Sequence, residues 1–503
     1  MEHKSNRKNI IYTLVSQFLV LGLALVVPRF ILVSYGSDTN GLIGTVSQVM
    51  AYLALLEAGI GRAARNELYK YLHGDIYDKE NISVIMSLSR KTYRNITKIY
   101  ALIILAFSFI LPYIIKTDLD YWTVFAVVII EGASGVVSFF FIQNWTDLLA
   151  VDGRNYVTSN IDLVYKILIY LVKIVMAVLG VNIIFMELGF FAATLIKLLI
   201  SRKYMKSHYE WLDCGINTGD RKLKDKGSFM IAEVAWTVFS STDMIVISIF
   251  CSTKNSSVYA IYYMVFISLN KLIDAVYTSL KFNLGQSFHN DKEQYKITHD
   301  LYNSVFLGTV SSLMTVAYYL CIPFVSLYTK GITDVNYIDT SLPMAFSLIM
   351  ILSWCRMVAE HLNGIAGYAK QLGKVSIIEA AINITLSVAL VNQFGIRGVL
   401  YATVIALPLK IVYCNWLADK VILKRSMLKT ILILSVNLIL FIVLAGITGL
   451  FEITINSYLE FAVYGLVLTL CAIILFTSVN IVLNRNMLSS LKRITGKKLN
   501  AKK

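Results

Sequence analysis

Long apolar runs separated by short polar breaks fill the sequence from about residue 10 to residue 483. About 20 apolar residues wound as a helix cross the roughly 30 Å of a bilayer's hydrocarbon, so each run is long enough to span. The pattern predicts spans near 10–33, 41–61, 96–115, 122–145, 157–179 and 183–201. A second set follows near 228–250, 257–280, 302–327, 342–362, 373–392 and 396–415, with two more near 429–449 and 457–483. The apolar residues are continuous where a membrane barrel would alternate them with polar ones, so the predicted class is an all-α polytopic membrane protein of about 14 transmembrane helices.

The polar breaks orient these spans. In the segments at and between the span ends, 34 Lys and Arg residues fall on the side that alternates with the N-terminus, and only Lys116, Lys254, Lys330 and Arg397 on the opposite side. Basic residues stay on the cytoplasmic side, so both termini are expected there, in a multi-pass protein of the plasma membrane. Lys4, Arg7 and Lys8 precede the first run as they would in a signal peptide. That run is too long for one and ends in no small-residue cleavage site, so it is expected to be retained as the first span.

Composition supports this class and removes others. Hydrophobic residues make up 57% of the 503 and charged residues 15%, far from the soluble average. The formal charge of +15 is scattered over short loops, where it argues against nucleic acid as a partner. Six cysteines lie far apart without CxxC spacing, which predicts neither disulfides nor a metal site. No GxxxxGK[ST] pattern is present, so nucleotide drive is not expected.

A faint repeat subdivides the chain. The turn Tyr35-Gly36-Ser37-Asp38-Thr39-Asn40-Gly41 matches Cys251-Ser252-Thr253-Lys254-Asn255-Ser256-Ser257 at an offset of 216, and the stretch from Ala150 to Arg154 matches Ala366 to Lys370 at the same offset. The expected organisation is an N-terminal lobe (1–205), a basic cytoplasmic connector (206–227), a C-terminal lobe (228–418), and a helix pair with a basic tail (419–503). Six spans per lobe is an even number, so both lobes cross in the same sense. A substrate cavity is expected between them.

Charges deep in the spans are the candidate chemistry, because a charge at the bilayer centre costs about 2.5–3.5 kcal/mol and must face water or a partner. Glu131, Lys166, Lys173, Lys271, Asp274 and Arg356 lie deepest. Lys166, Tyr170 and Lys173 share one helical face. Lys271 with Asp274, and Arg356 with Glu360, have the spacing of pairs within one helix. The seventh span carries Glu233, Thr237, Ser240 and Asp243 and should border the cavity. Arg29 follows Pro28, which can kink the first span and turn the guanidinium inward. A cavity lined with Lys and Arg attracts anions, phosphate above all. Arg29, Lys166, Lys173, Lys271 and Arg356 are therefore the candidate phosphate contacts. Gln17, Gln48, Tyr170, Thr237 and Ser240 are the candidate sugar contacts, and Glu131, Glu233, Asp243 and Asp274 the candidate carriers of a coupling proton or sodium ion.

The segment from Pro28 through Tyr35-Gly36, Asn40-Gly41-Leu42 and Leu55-Leu56-Glu57-Ala58-Gly59 resembles the opening of Wzx-type polysaccharide flippases, within the multidrug/oligosaccharidyl-lipid/polysaccharide exporter superfamily. The likeness of residues is clearest over about 20–70, and that of span count and lobes covers the whole chain. The resemblance implies two six-helix lobes that alternate between inward-open and outward-open states. It implies a lipid-linked oligosaccharide as cargo, moved across a bacterial plasma membrane for capsule, exopolysaccharide or wall-polymer assembly, with polysaccharide polymerase and glycosyltransferases as candidate partners. It also implies anion contact for Arg29 and Lys271, although Asp274 departs from a purely cationic pattern. No bond is made or broken, so neither catalytic residues nor a cofactor is expected. The competing readings are a multidrug cation antiporter of the same superfamily, a membrane-embedded polysaccharide enzyme, and a scaffold without transport. Short, nearly uncharged outer loops argue against the enzyme.

Overall fold

The computed structural model describes residues 2–54, 58–73, 76–216, 242–448 and 454–484. The chain forms two compact units, residues 1–257 with 332–335, and residues 258–331 with 336–503. Apart from one hairpin of two two-residue strands, the described elements are helices.

In the first unit, α1 (Glu2–Ala54) covers the first predicted span and the second as far as Ala54 as one 53-residue element. It breaks at Gly36, where φ is 82°, a left-handed value that suits glycine. The Asp334 carboxylate holds the break, accepting from the Ser37 backbone N–H at 2.8 Å and the Ser37 hydroxyl at 2.6 Å. Helix α2 (Ala58–Leu68) leads into the hairpin, in which β1 (Leu72–His73) pairs with β2 (Ile76–Tyr77). Asp78 then caps α3 (Lys79–Ile114) by accepting from the Asn81 backbone N–H. Helix α4 (Tyr121–Val137) continues through a π-helical turn at Ser138–Ile142 into α5 (Gln143–Val151). Helices α6 (Asn155–Val178) and α7 (Ile183–His208) form an antiparallel hairpin about Gly180, and α8 (Asp243–Phe250) completes the unit with the first turn of the next helix.

The second unit holds the rest of that helix, α9 (Thr253–Asn290), and then α10 (Lys292–Tyr328). The next predicted span breaks at Cys355–Arg356 into α11 (Leu342–Trp354) and α12 (Met357–Ile365). A hairpin about Gly395 joins α13 (Ala369–Phe394) to α14 (Ile396–Trp416), which ends in a π-helical turn at Leu417–Ile422. Helices α15 (Leu428–Thr448) and α16 (Tyr458–Leu483) both pack on α10. Phe346 centres the core, stacked on Phe266 at 5.5 Å and packed on Tyr259 at 5.2 Å.

Among the described residues ten helices are long and apolar enough to cross a membrane, and each coincides with a predicted span. Of the other four predicted spans, 10–33 lies in α1, 41–61 is described in α1 to Ala54 and in α2 from Ala58, one is α6 with its internal charges, and 228–250 is described only from residue 242. Gly153, Gly180, Gly367 and Gly395 carry positive φ, each at a junction between two helices.

Candidate functional site

In the first unit the deep charges gather on α1, α4, α6 and α7. Lys173 is 8% exposed and donates to Glu187 Oε1 at 3.3 Å, with its ammonium 5.2 Å from the Phe190 ring centre. It is thus not the unpaired cation expected, because a fully buried carboxylate from α7 faces it. Glu131 on α4 is also buried and accepts from the Ser47 hydroxyl at 3.5 Å. Glu187 Oε2 has no hydrogen-bond partner among the described residues. Glu187 holds the Lys173 ammonium and Glu131 acts on the same group electrostatically, an arrangement able to hold a proton or small cation.

Lys166 has a different environment. The exposed aliphatic residues Val164, Leu171, Val175 and Val178 of α6 are spaced as one lipid-facing stripe. Lys166 projects from roughly the opposite side of the helix, on the face of Tyr170 and Lys173, yet it is exposed. It has no ion-pair partner among the described residues. It lies midway along α6, about 17 Å from either end.

Tyr170 packs, partly buried, against the apolar core that includes Val27, Ile31, Val127 and Met186. Ser34 donates to the Ala177 carbonyl at 2.7 Å and Tyr35 to that of Val181, which sets α1 and α6 side by side in parallel. Arg29, half-buried about a turn and a half before Ser34, is therefore level with the Tyr170–Lys173 segment. Gln48 is engaged elsewhere, its Oε1 accepting from the Met244 backbone N–H at 3.2 Å at the start of α8, where Asp243 is buried. Glu233, Thr237 and Ser240 lie outside the described residues, as does the side chain of Gln17.

The second unit carries a separate charge cluster. Arg356 and Glu379, each 2% exposed, form an ion pair between the α11–α12 junction and α13. Arg356 also meets Glu360 at 3.5 Å, the pairing expected from spacing, and Lys410 on α14 meets Glu360 at 2.7 Å. Two bases and two acids balance, so Arg356 is not an uncompensated cation. In the sequence Glu379 stands only as a shallower charge, and sequence reasoning missed Lys410. Lys271 and Asp274 are both exposed on α9, and Asp274 has no ion-pair partner among the described residues, so the expected self-neutralising pair does not form.

The turn that carried the family resemblance has a packing role. Asn40 donates to the Ser257 hydroxyl at 2.8 Å, and Thr253 donates to the Asp38 carboxylate. A Cβ on Gly41 would run into the Thr253 carbonyl, so only glycine permits this approach. Burial pushes the Asp38 carboxyl above its usual range, against the hydrogen bonds from Thr117 and the Asp118 backbone. The two turns related by the repeat therefore touch each other.

No model of a known protein family matches the sequence, and no curated protein matches it. Solved structures do. A lipid II flippase, MurJ, in an inward closed conformation matches with a TM-score of 0.68 at 14% identity, over 94% of this chain and 99% of that one. An inward-facing multidrug resistance transporter of the MATE family, within the MOP superfamily, gives 0.66 at 12% identity over 82% and 99%. The MATE multidrug transporter DinF-BH gives 0.59 at 14% identity over 84% and 96%. The chain therefore has the fold of MOP-superfamily transporters.

Proposed function

We propose that this protein is a transporter that flips a lipid-linked oligosaccharide, anchored on an undecaprenyl-pyrophosphate-type lipid, across the bacterial plasma membrane by alternating access. The cargo would serve capsule, exopolysaccharide or wall-polymer assembly. Lys166 carries the reading. An exposed mid-span ammonium, turned away from the lipid-facing stripe of its own helix and without a carboxylate partner among the described residues, supports a water-filled path for an anion. Arg29, level with the same face, and Lys271 are the further phosphate contacts. Lys173 and Arg356 are held by carboxylates and serve to position helices. Glu131 and Glu187 are the proposed site of a coupling proton or sodium ion.

The same carboxylate pair favours a second reading, a cation-coupled multidrug exporter, since a buried acid with an open oxygen atom suits cation exchange. The substitution Lys166→Gln separates the two. It should abolish export of the polymer, by tenfold or more, while membrane content and melting temperature stay unchanged. Undiminished polymer export with lost efflux of a cationic dye would favour the exporter.

A further inference from the structure

Helix α3 is 36 residues long, about 54 Å, and outruns the hydrocarbon by several turns. Its buried face carries Tyr93, Thr97, Tyr100, Ile104 and Leu111. Its outward face changes character along its length. Leu102, Leu105 and Phe109 are 68%, 46% and 49% exposed and read as a lipid-facing stripe, which ends at the exposed Tyr113 beside Tyr121 and Trp122. Such exposed aromatic residues mark one membrane interface. Arg94 is 19 residues before Tyr113, about 28 Å along the axis, which is the thickness of the hydrocarbon. Arg94 therefore stands at the phosphate level of the opposite leaflet, with Arg90 and Lys91 one turn further out in the headgroup layer.

At that height the surface is a cleft. Ser87, Arg90, Lys91, Arg94 and Phe140 line about 500 Å³ together with Cys214, Gly215 and Ile216. The far wall is the strap that follows α7. Asp213 N–H donates to the Ser83 hydroxyl at 3.4 Å, Ser87 donates to the Asp213 carbonyl at 3.2 Å, and Ile216 N–H donates back to Ser87 at 3.2 Å. Trp211, Leu212 and Cys214 anchor the strap on the core of Leu68, Ile82 and Met86. The Asp213 carboxylate accepts from Gly215 N–H at 2.7 Å, inside the strap. Burial pushes the Cys214 thiol up to about 11, so the thiol itself adds no negative charge at neutral pH. Arg90 and Arg94 have no carboxylate partner among the described residues.

We propose that this cleft binds the phosphate of an anionic phospholipid of that leaflet, whose acyl chains lie along the Leu102–Phe109 stripe. The basic residues and the stripe share one face of one helix, so a single lipid molecule meets both. A soluble anion would use only the first. The site lies wholly within the first unit and is distinct from the proposed cargo contacts.

The test is native mass spectrometry of the full chain in mild detergent, titrated with phosphatidylglycerol or phosphatidylcholine. The wild type should retain phosphatidylglycerol. Arg90→Gln/Arg94→Gln should weaken retention by about 30-fold, near fivefold for each charge, and Arg94→Gln alone by about fivefold. Lys203→Gln/Lys206→Gln, removing two exposed charges from the end of α7, should change it less than twofold. Arg90→Lys/Arg94→Lys should keep most of it. Equal loss from both glutamine pairs, equal retention of phosphatidylcholine, or displacement by glycerol phosphate at the lipid's own concentration would each overturn the proposal.

Discussion

Lys166 and Lys173 stand seven residues apart on one face of α6, yet the fold gives them opposite environments. The difference comes from α7. Lys173 and Glu187 stand equally far on either side of Gly180, so the antiparallel hairpin brings them together. The same hairpin pairs Asp162 with Lys197 at 2.7 Å and Tyr165 with Thr194 at 3.0 Å. Removing one member of a buried pair strands the other at about 3–5 kcal/mol, whereas replacing both by apolar groups is often nearly neutral. Lys173→Met should therefore lower the melting temperature of the purified protein, and Lys173→Met/Glu187→Met should recover most of the loss. Additive losses would show that the two residues are not coupled. Arg356→Gln should likewise destabilise, since it leaves Glu379 buried and uncompensated, and the variant should be lost from membranes rather than merely inactive. At this scale the depth of each charge was legible in the sequence, and its partner mostly was not. Spacing within a helix disclosed Arg356 with Glu360. Lys410 and Glu187 sit on other helices, and only reflection about the hairpin glycine would have found Glu187.

At the scale of elements, periodicity located the spans well because apolar length is a local property. Interruptions inside spans were less legible. The α11–α12 break and the π-helical turns at Ser138–Ile142 and Leu417–Ile422 contain no glycine or proline to signal them. The docking of the last two helices was also hidden, since their apolar faces look alike from every side. Polar residues fix it. Asn437 and Asn480 exchange hydrogen bonds at 3.0 and 2.9 Å, and Gly308 on α10 leaves the room they need, a Cβ there coming within 2.8 Å of Asn480 Nδ2. Gly308→Ala should push α16 outward. Hydrogen exchange should then rise in residues 454–484 and stay unchanged in α13, while unchanged exchange in α16 would show that the close approach carries no weight.

Across the whole molecule, the alternation of apolar runs and loop charge gave the class, an all-helical membrane protein, and the fold agrees with that of MOP-superfamily transporters. Cargo is a finer property than fold, since a lipid II flippase and multidrug transporters share this one. The choice between an anionic lipid-linked cargo and a small cation rests on few side chains, with Lys166 on one side and the Glu131–Glu187 pair on the other. The most direct measurement uses purified protein in proteoliposomes containing an undecaprenyl-pyrophosphate oligosaccharide, with its exposure on the two leaflets read by a membrane-impermeant enzyme or lectin. The proposal predicts transfer between leaflets by the wild type and at least tenfold slower transfer by Lys166→Gln at unchanged melting temperature. Absence of transfer by the wild type, in vesicles that do move a cationic dye against an imposed ion gradient, would contradict it.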